Sequence, residues 1–173
     1  VDFGSQVTQL IARQVRELGV YCELINFKKF NKFKTFDKNI KGIILSGGPK
    51  STLSKSAPNI KWKLFLNKLP LLGICYGHQL ISNICGGKTK YSNKKEFGSA
   101  ILIEKKKSKL TEGFFTNKKN TVWMSHSDSV MIKPKNFNVI ASSKNSKFAI
   151  LENKRKKIFT TQFHPEVFHT NNG

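Results

Sequence analysis

The chain has 173 residues, which is enough for one domain with a full hydrophobic core. Hydrophobic residues make up 38% of it, and no apolar run approaches the roughly 20 residues that a membrane helix needs. The sequence therefore predicts neither a membrane protein nor a disordered one. The net charge is +21, from 31 Lys and Arg against 10 Asp and Glu, a balance typical of proteins that bind nucleic acids or anionic membranes.

Arginine is scarce among these basic residues, because only Arg13, Arg16 and Arg155 are not lysine. Arginine is the side chain that makes bidentate contacts with phosphate and guanine. We therefore interpret the excess of lysine and asparagine as a drift towards A/T-rich codons rather than as a sign of specific nucleic-acid binding. Non-specific association that weakens with salt is still expected.

The three cysteines, Cys22, Cys75 and Cys85, form no close pair in the sequence. This spacing indicates a reducing, cytoplasmic compartment rather than a disulfide framework. The four histidines are scattered, so we expect no structural metal site. The chain opens on Val1, within what looks like the end of a strand, so we expect residues to precede it.

The apolar pattern predicts alternating strands and helices in the first half of the chain. The expected elements are a strand end at 1–3, a helix over 6–18 stopped by Gly19, strands at 20–25 and 43–45, a helix over 59–66, a strand at 69–74 and a helix over 78–85. The second half predicts strands at 100–104, 121–124, 138–141, 147–151 and 157–163, with lysine-rich turns at 105–107 and 154–157. This order predicts an α/β domain with a mainly parallel central sheet, flanking helices and an added antiparallel β portion.

Cys75 is the candidate nucleophile. It lies in Gly73-Ile74-Cys75-Tyr76-Gly77, between a predicted strand and a predicted helix, with the spacing of the serine elbow in α/β hydrolases. The flanking glycines are expected to allow a sharp turn that a Cβ would make costly. The start of the helix favours a thiolate over a thiol. Cys22 and Cys85, in contrast, are interpreted as structural.

A general base for this thiol is available after the last predicted strand, at His164. Residues i and i+2 of an extended segment point to the same side, so the carboxylate of Glu166 can orient the imidazole. Cys75, His164 and Glu166 would then act as nucleophile, general base and orienting carboxylate.

Acyl transfer also needs donors for a developing oxyanion. The backbone N–H groups of Gly48 and Tyr76 are the candidates, since one lies in the Ser46–Pro49 loop and the other directly follows the nucleophile. A phosphate cradle at Gly47-Gly48 is the alternative, but the loop lacks the spacing of a P-loop.

Several segments of the sequence resemble a known family. They are Asp2–Gln6, Arg16–Leu24, Ile43–Pro49, Gly73–Gln79, Glu96–Gly98, Trp123–Asp128 and Gln162–Val167. Through them the whole chain resembles the class I, triad-type glutamine amidotransferases, and within that family the glutaminase domains of GMP synthetases. The nucleophile and His-Pro-Glu segments are shared by the wider family. The segments Asp2–Gln6, Trp123–Asp128 and His169–Gly173 point to the GMP synthetase branch.

The resemblance implies a flavodoxin-like amidotransferase fold in which Cys75 attacks the carboxamide of glutamine, giving a glutamyl thioester and ammonia. His164 and Glu166 would complete the triad, and the amides of Gly48 and Tyr76 would bind the oxyanion. The residues implied to hold glutamine are Gln79, Ser125, Ser127 and Asp128. The family usually has glycine at the position of Ser127.

The resemblance also implies partners outside this sequence. An ATP-pyrophosphatase domain would use ATP and Mg to adenylate XMP and would convert it to GMP with the ammonia, and a dimerisation domain would make the full-length enzyme a homodimer. Residues 1–173 are expected to be one amidotransferase domain, cut at both ends, without a cofactor of its own. Two alternatives stay open: a glutaminase domain or subunit serving a different synthetase, and a catalytically silent domain of the same fold.

Overall fold

The structure is a computed structural model that describes residues 1–173, apart from the side chain of residue 64. The helices are α1 (Thr8–Glu17), α2 (Phe27–Phe30) and α3 (Tyr76–Ile84), with single 3₁₀ turns at Trp62–Leu64 and Lys109–Thr111. The strands are β1 (Ile43–Leu45), β2 (Leu71–Ile74), β3 (Lys88–Glu104), β4 (Lys119–Ile132), β5 (Asn138–Ser142), β6 (Ile150–Asn153) and β7 (Ile158–Thr161).

All seven strands belong to one mixed sheet with the order β1-β2-β7-β6-β5-β3-β4. The pairs β1–β2 and β2–β7 are parallel, and every later pair in this order is antiparallel. The predicted α/β class with an added antiparallel portion is confirmed. The antiparallel portion is larger than expected, because β3 begins at Lys88, well before the predicted strand at 100–104, and β4 continues to Ile132.

Helices cover both faces of the parallel strands. Ile11 of α1 packs against Ile44 and Leu72 on one face. Leu45 of β1 lies in the cluster on the opposite face, together with Ile81 of α3. Alternate residues of β1 thus point to opposite helices, which fixes the strand between them.

A second apolar cluster packs under the antiparallel strands. It joins Leu102 of β3 and Met124 of β4 to Phe163, which follows β7. This cluster anchors the residue directly before His164 to the antiparallel half of the sheet.

Three predicted elements are wrong. The strand end expected at 1–3 is only a single bridged residue, Asp2. Residues 20–25 form no strand: the segment is irregular, Tyr21 is 83% exposed, and the only bridge nearby joins Asp2 to Asn26. The alternation of apolar residues there meets no partner strand. Residues 59–66 form only a 3₁₀ turn, because Ile60 and Phe65 both enter the core. Positions i and i+5 do not share one face of an α-helix.

The predicted helices at 6–18 and 78–85 are confirmed within two residues at each end. The lysine-rich segments 105–107 and 154–157 lie in loops and turns, as predicted. Among the residues that the structure describes, none of the helices has the length and apolar character needed to cross a membrane.

Candidate active site

The candidate catalytic residues meet at the carboxyl edge of the parallel strands. Gly48 follows β1, Cys75 follows β2 and His164 follows β7, and these three strands are neighbours with β2 in the middle. The carboxyl edge of such strands is where α/β proteins bind ligands. The nucleophile therefore has the proposed oxyanion loop on one side and the histidine on the other.

Cys75 adopts a backbone conformation that is rare for a residue with a side chain, with φ 52° and ψ −100°. Hydrogen bonds hold this turn from both neighbouring strands. The N–H of Cys75 donates to Thr161 O at 2.8 Å, and the N–H of Gly77 donates to Ser46 O at 3.1 Å. The surrounding structure thus maintains a strained residue at the N-terminus of α3, where the helix dipole favours a thiolate.

The flanking glycines have a different role from the one expected from the sequence. The strained φ belongs to Cys75 itself, and neither Gly73 nor Gly77 has a positive φ. Each glycine instead leaves room for a close approach. A Cβ on Gly77 would collide with the carbonyl oxygen of Leu45, and a Cβ on Gly73 would lie 2.6 Å from Cδ1 of Ile81. The glycines allow α3 to lie directly against β1 and β2.

His164 and Glu166 form a buried hydrogen-bonded pair, with Nδ1 of His164 2.7 Å from Oε1 of Glu166. The side chains are 8% and 2% exposed, respectively. The main chain of His164 is fixed by its N–H, which donates to Trp123 O at 3.0 Å, and by its carbonyl, which accepts from the hydroxyl of Thr170 at 2.6 Å. The imidazole thus has a defined orientation, with Nδ1 towards Glu166.

The charge state of His164 follows from these neighbours. Burial opposes protonation of the ring, but the adjacent side chains of Cys75 and Glu166 outweigh burial and raise the pKa of His164 to about 10. A protonated imidazole therefore lies next to the sulfur of Cys75.

Gly47 makes room for this imidazole. A Cβ at position 47 would lie 2.9 Å from Cε1 of His164, so a larger residue would displace the ring. Gly48, the next residue, has an amide that donates to no other group in the described part of the chain, and the same holds for the amide of Tyr76. Both are therefore available as donors beside Cys75.

A cavity of about 230 Å³ opens beside the sulfur. This volume suits a small polar molecule better than a drug-sized one. Its lining comprises Gly48, Pro49, Lys50, Ser51, Cys75, Tyr76, Gln79, Phe97, Ser125, His126, Ser127 and Asp128. The predicted oxyanion and glutamine-binding residues thus all line this cavity and together form the cavity wall, whereas His164 and Glu166 are not among the lining residues.

Within this wall, Gln79 and Asp128 differ in how much of their bonding capacity is free. The Nε2 of Gln79 is used inside the protein, since it donates to the main-chain oxygen of Asp128 at 2.9 Å. Oδ1 of Asp128 is buried and has no partner among the described residues. Ser127 lies in extended strand β4 and has no positive φ, so a side chain is accommodated where the family usually has glycine.

Sequence reasoning missed a buried network behind this wall. The ring of His126 reaches Asp128 O through Nδ1 at 2.9 Å and Oε2 of Glu96 through Nε2 at 3.2 Å. The hydroxyl of Ser143 donates to Oε1 of Glu96 at 2.8 Å. Burial raises the pKa of Glu96, but the hydrogen bonds from His126 and Ser143 outweigh burial and lower it below its usual range.

Both ring nitrogens of His126 thus contact acceptor oxygens, one on the main chain of Asp128 and one on Glu96. The contact between Glu96 and His126 could have been predicted only from the strand register, which places the two residues opposite each other across β3 and β4, next to a bulge. That register depends on the full length of β3, which the sequence pattern did not predict.

Gln162 was not identified as a site residue from the sequence either. It is fully buried, and its Nε2 lies 3.8 Å from the sulfur of Cys75. Within the described residues, no group of three or more His, Cys, Asp or Glu side chains is placed to hold a metal ion.

This geometry can be compared with known families. The sequence model of the family described as "Glutamine amidotransferase class-I" matches residues 1–173. The chain belongs to the class I glutamine amidotransferases. Its elbow cysteine, buried His–Glu pair and adjacent polar cavity are therefore features of an amidotransferase domain.

The amidotransferase domain has curated relatives at moderate identity. It is 47% identical over 175 residues to a protein named GMP synthase [glutamine-hydrolyzing] from Agrobacterium fabrum, a match that includes 100% of this chain and 33% of the relative. A protein of the same name from Fusobacterium nucleatum is 46% identical over 173 residues, again with 100% and 33% covered. The chain thus spans about a third of the length of the curated relatives that it matches.

Solved structures show the same fold. A protein from Thermoplasma acidophilum, described as one subunit of a GMP synthase, superimposes with a TM-score of 0.80 at 31% identity, covering 98% of this amidotransferase domain and 84% of that chain. A glutamine amidotransferase from Thermotoga maritima gives a TM-score of 0.76 at 21% identity, covering 96% and 71%. The second match supports the fold alone.

Proposed function

We propose that this domain hydrolyses glutamine to glutamate and ammonia, with Cys75 as nucleophile, His164 as general base and acid, and Glu166 as the orienting carboxylate. The observation that carries the proposal is the 2.7 Å bond between His164 and Glu166, held directly behind a cysteine on a strained helix-start turn. Nucleophile, base and orienting group in this relation are the parts that acyl transfer requires.

The reaction proceeds in two halves. The Cys75 thiolate attacks the side-chain carbonyl carbon of glutamine, and the resulting oxyanion accepts hydrogen bonds from the amides of Gly48 and Tyr76. His164 then gives its proton to the departing nitrogen, which leaves as ammonia and a γ-glutamyl thioester remains on Cys75. Water, deprotonated by His164, attacks this thioester and releases glutamate and the thiolate.

The cavity wall is proposed to hold the amino-acid end of glutamine. The unpartnered Oδ1 of Asp128 is an acceptor for the α-ammonium group, since a buried carboxylate oxygen without a partner is costly until a ligand supplies one. Ser125 and Ser127 offer hydroxyls from the same strand. Gln79 holds the main chain of Asp128 in place through its Nε2, and its side-chain oxygen is available to the substrate.

We further propose that the ammonia converts XMP to GMP in a synthetase part that uses ATP and Mg and lies outside residues 1–173. This proposal is supported by the similarity to the GMP synthases named above, of which this chain matches about a third, and by the fold shared with the Thermoplasma acidophilum protein. It includes a single amidotransferase domain over 1–173, a homodimeric complete enzyme and a cytoplasmic location. Two alternatives would be supported by negative results: the ammonia serves a different synthetase, or the domain is catalytically silent.

The glutaminase proposal is tested with 6-diazo-5-oxo-norleucine, an electrophilic analogue of glutamine. We expect the reagent to label Cys75, free glutamine to suppress the labelling, and Cys22 and Cys85 to stay unmodified as internal controls when the protein is mapped by mass spectrometry. Their exposure is intermediate, whereas Cys75 is buried, so accessibility alone would give the opposite order. A folded protein without a Cys75 adduct contradicts the proposal.

The synthetase proposal is tested separately, with the complete protein that carries this domain. Cys75→Ala is expected to abolish GMP formation from XMP with glutamine and to leave GMP formation with added ammonium salt unchanged. Loss of both activities would contradict the division of labour. Glutamine hydrolysis without XMP amination in the wild type would assign the ammonia to another acceptor.

A further inference from the structure

Gln162 is fully buried and contacts two residues of the cavity lining, Cys75 and Gln79. On one side its Nε2 is 3.8 Å from the sulfur of Cys75. On the other side its Oε1 accepts a hydrogen bond from Nε2 of Gln79 at 3.3 Å. The mechanism above uses neither contact of Gln162.

The direction of these hydrogen bonds is fixed by the main chain. The Nε2 of Gln79 also donates to the carbonyl oxygen of Asp128 at 2.9 Å, and a carbonyl oxygen can only accept. Gln79 must therefore turn its NH₂ group towards Asp128 and Gln162. Gln162 must therefore accept this hydrogen bond through its side-chain oxygen, so its own NH₂ group faces the sulfur.

Besides His164, the sulfur has two further neighbours, one suited to each of its charge states. As a thiol, Cys75 can donate to the carbonyl oxygen of Ser125, 3.6 Å away. As a thiolate, it can accept from Gln162. Donors near a thiolate stabilise it, and hydrogen bonds to charged groups are roughly twice as strong as neutral ones.

We propose that Gln162 is a catalytic residue that donates a hydrogen bond to the thiolate of Cys75, and that Gln79 is a positioning residue that fixes the orientation of the Gln162 amide. The inference rests on the proposed glutaminase function. It deepens that function in two steps, because the same N–H group favours the attacking thiolate and stabilises the sulfur as it leaves the thioester during hydrolysis.

The test compares Gln162→Met, which removes the donor, with Gln162→Glu, which has nearly the same shape. For Gln162→Met we expect kcat for glutamine to fall roughly 10- to 100-fold, the range for a hydrogen bond to a charged group, while KM changes less than about twofold. The rate of alkylation of Cys75 by neutral iodoacetamide at neutral pH is expected to fall in parallel, because the thiolate is the reacting form.

Gln162→Glu supplies a signature that a packing role would not give. Ionised, the new carboxylate offers no donor and repels the thiolate, so activity at neutral pH is expected below that of Gln162→Met. Protonated, its O–H can donate to the sulfur. The activity of Gln162→Glu relative to Gln162→Met is therefore expected to rise as the pH is lowered from about 8 to about 5, the range in which a buried carboxyl gains its proton.

Thr160→Val is the matched control, since Thr160 is a fully buried polar residue of β7 whose hydroxyl bonds His78 at 2.8 Å. It is expected to lower thermal stability without changing Cys75 alkylation. Wild-type alkylation rates in Gln162→Met, or a pH-independent activity ratio of the two variants, would overturn the proposal. A wild-type protein that alkylates at Cys75 but does not hydrolyse glutamine would overturn the glutaminase function alone, since the alkylation arm still measures the effect of Gln162.

Discussion

The two halves of the sheet contribute to the site in different ways. The parallel half, β1, β2 and β7, supplies the reacting groups from loops at its carboxyl edge, with the N–H of Cys75 bonded to β7 and the N–H of His164 bonded to Trp123 O of β4. The antiparallel half supplies the cavity wall at residues 125–128, in the middle of the long strand β4. One half positions three short turns, and the other positions an extended segment through its strand register.

This difference predicts how substitutions divide between chemistry and binding. A group that changes its interactions only as bonds are made and broken lowers kcat when it is removed. A group that holds bound glutamine equally in the ground and transition states raises KM. Substitutions in the parallel half are therefore expected to act on kcat, and those in the antiparallel half on KM.

The largest effect is expected at His164. In His164→Asn we expect kcat to fall by roughly a thousandfold or more, because both proton transfers lose their carrier, while Glu166→Gln should cost about a hundredfold through misorientation of the ring. Steady-state glutamate release measures both variants. The comparison of the two halves fails if either variant changes mainly KM.

Much of the parallel half was predictable from the sequence. The strand at 43–45 and the elbow at Cys75 depend on local pattern, namely apolar runs and glycine spacing. The contact of Glu166 with His164 was predicted as well, but from an extended segment, whereas residues 165–166 form a turn. The role of the two elbow glycines was not predictable, because the atoms that exclude a Cβ belong to Leu45 and Ile81, which are remote in sequence.

The antiparallel half was predicted poorly for a physical reason. The first part of β3, residues 88–99, is rich in lysine and polar residues and is stabilised mainly by pairing with β4, so it has no apolar alternation of its own. The pair Glu96 and His126 depends on this register. Gln162 likewise follows a recognisable strand, but its contacts with Cys75 and Gln79 exist only in the folded protein.

The charge of the catalytic pair predicts a dependence of stability on pH. His164 holds its proton up to about pH 10 in the native protein, whereas the ordinary pKa for the unfolded chain is 6.5. A raised histidine pKa stabilises the native state fully below pH 6.5, and this contribution is lost as the pH rises towards 10. The free energy of unfolding of the wild type should fall across this window.

Cys75→Ala removes one of the two side chains that raise the pKa of His164, so the same decline should be shallower in this variant. Urea unfolding of both proteins at several pH values across the window measures the difference. Parallel curves for wild type and Cys75→Ala would show that the sulfur does not hold the imidazolium. The matched variant Ser82→Ala, at a buried residue of α3 that carries no titratable group, should keep the wild-type slope.

A smaller effect is expected in the antiparallel half, at Glu96. Glu96→Gln keeps the shape of the side chain but removes the carboxylate that contacts His126 and Ser143, so the ring is held less firmly towards the main chain of Asp128. We expect KM for glutamine to rise roughly tenfold, the worth of one charge-assisted hydrogen bond, with kcat little changed. Ser143→Ala, which removes only a neutral donor to Glu96, should raise KM less. A fall in kcat with constant KM would place Glu96 with the chemistry instead.

The smallest effect is expected at Ser127, where the family usually has glycine. Because Ser127 lies in extended β4 without a positive φ, glycine is not required by the backbone, and Ser127→Gly should change KM for glutamine by less than about twofold. Glycine inside a strand lowers stability by roughly 0.5–1 kcal/mol through the entropy of the unfolded chain, so the thermal midpoint should fall slightly. A large gain in glutamine affinity would instead mean that the serine side chain obstructs the cavity, even though the extended backbone of β4 accommodates it without strain.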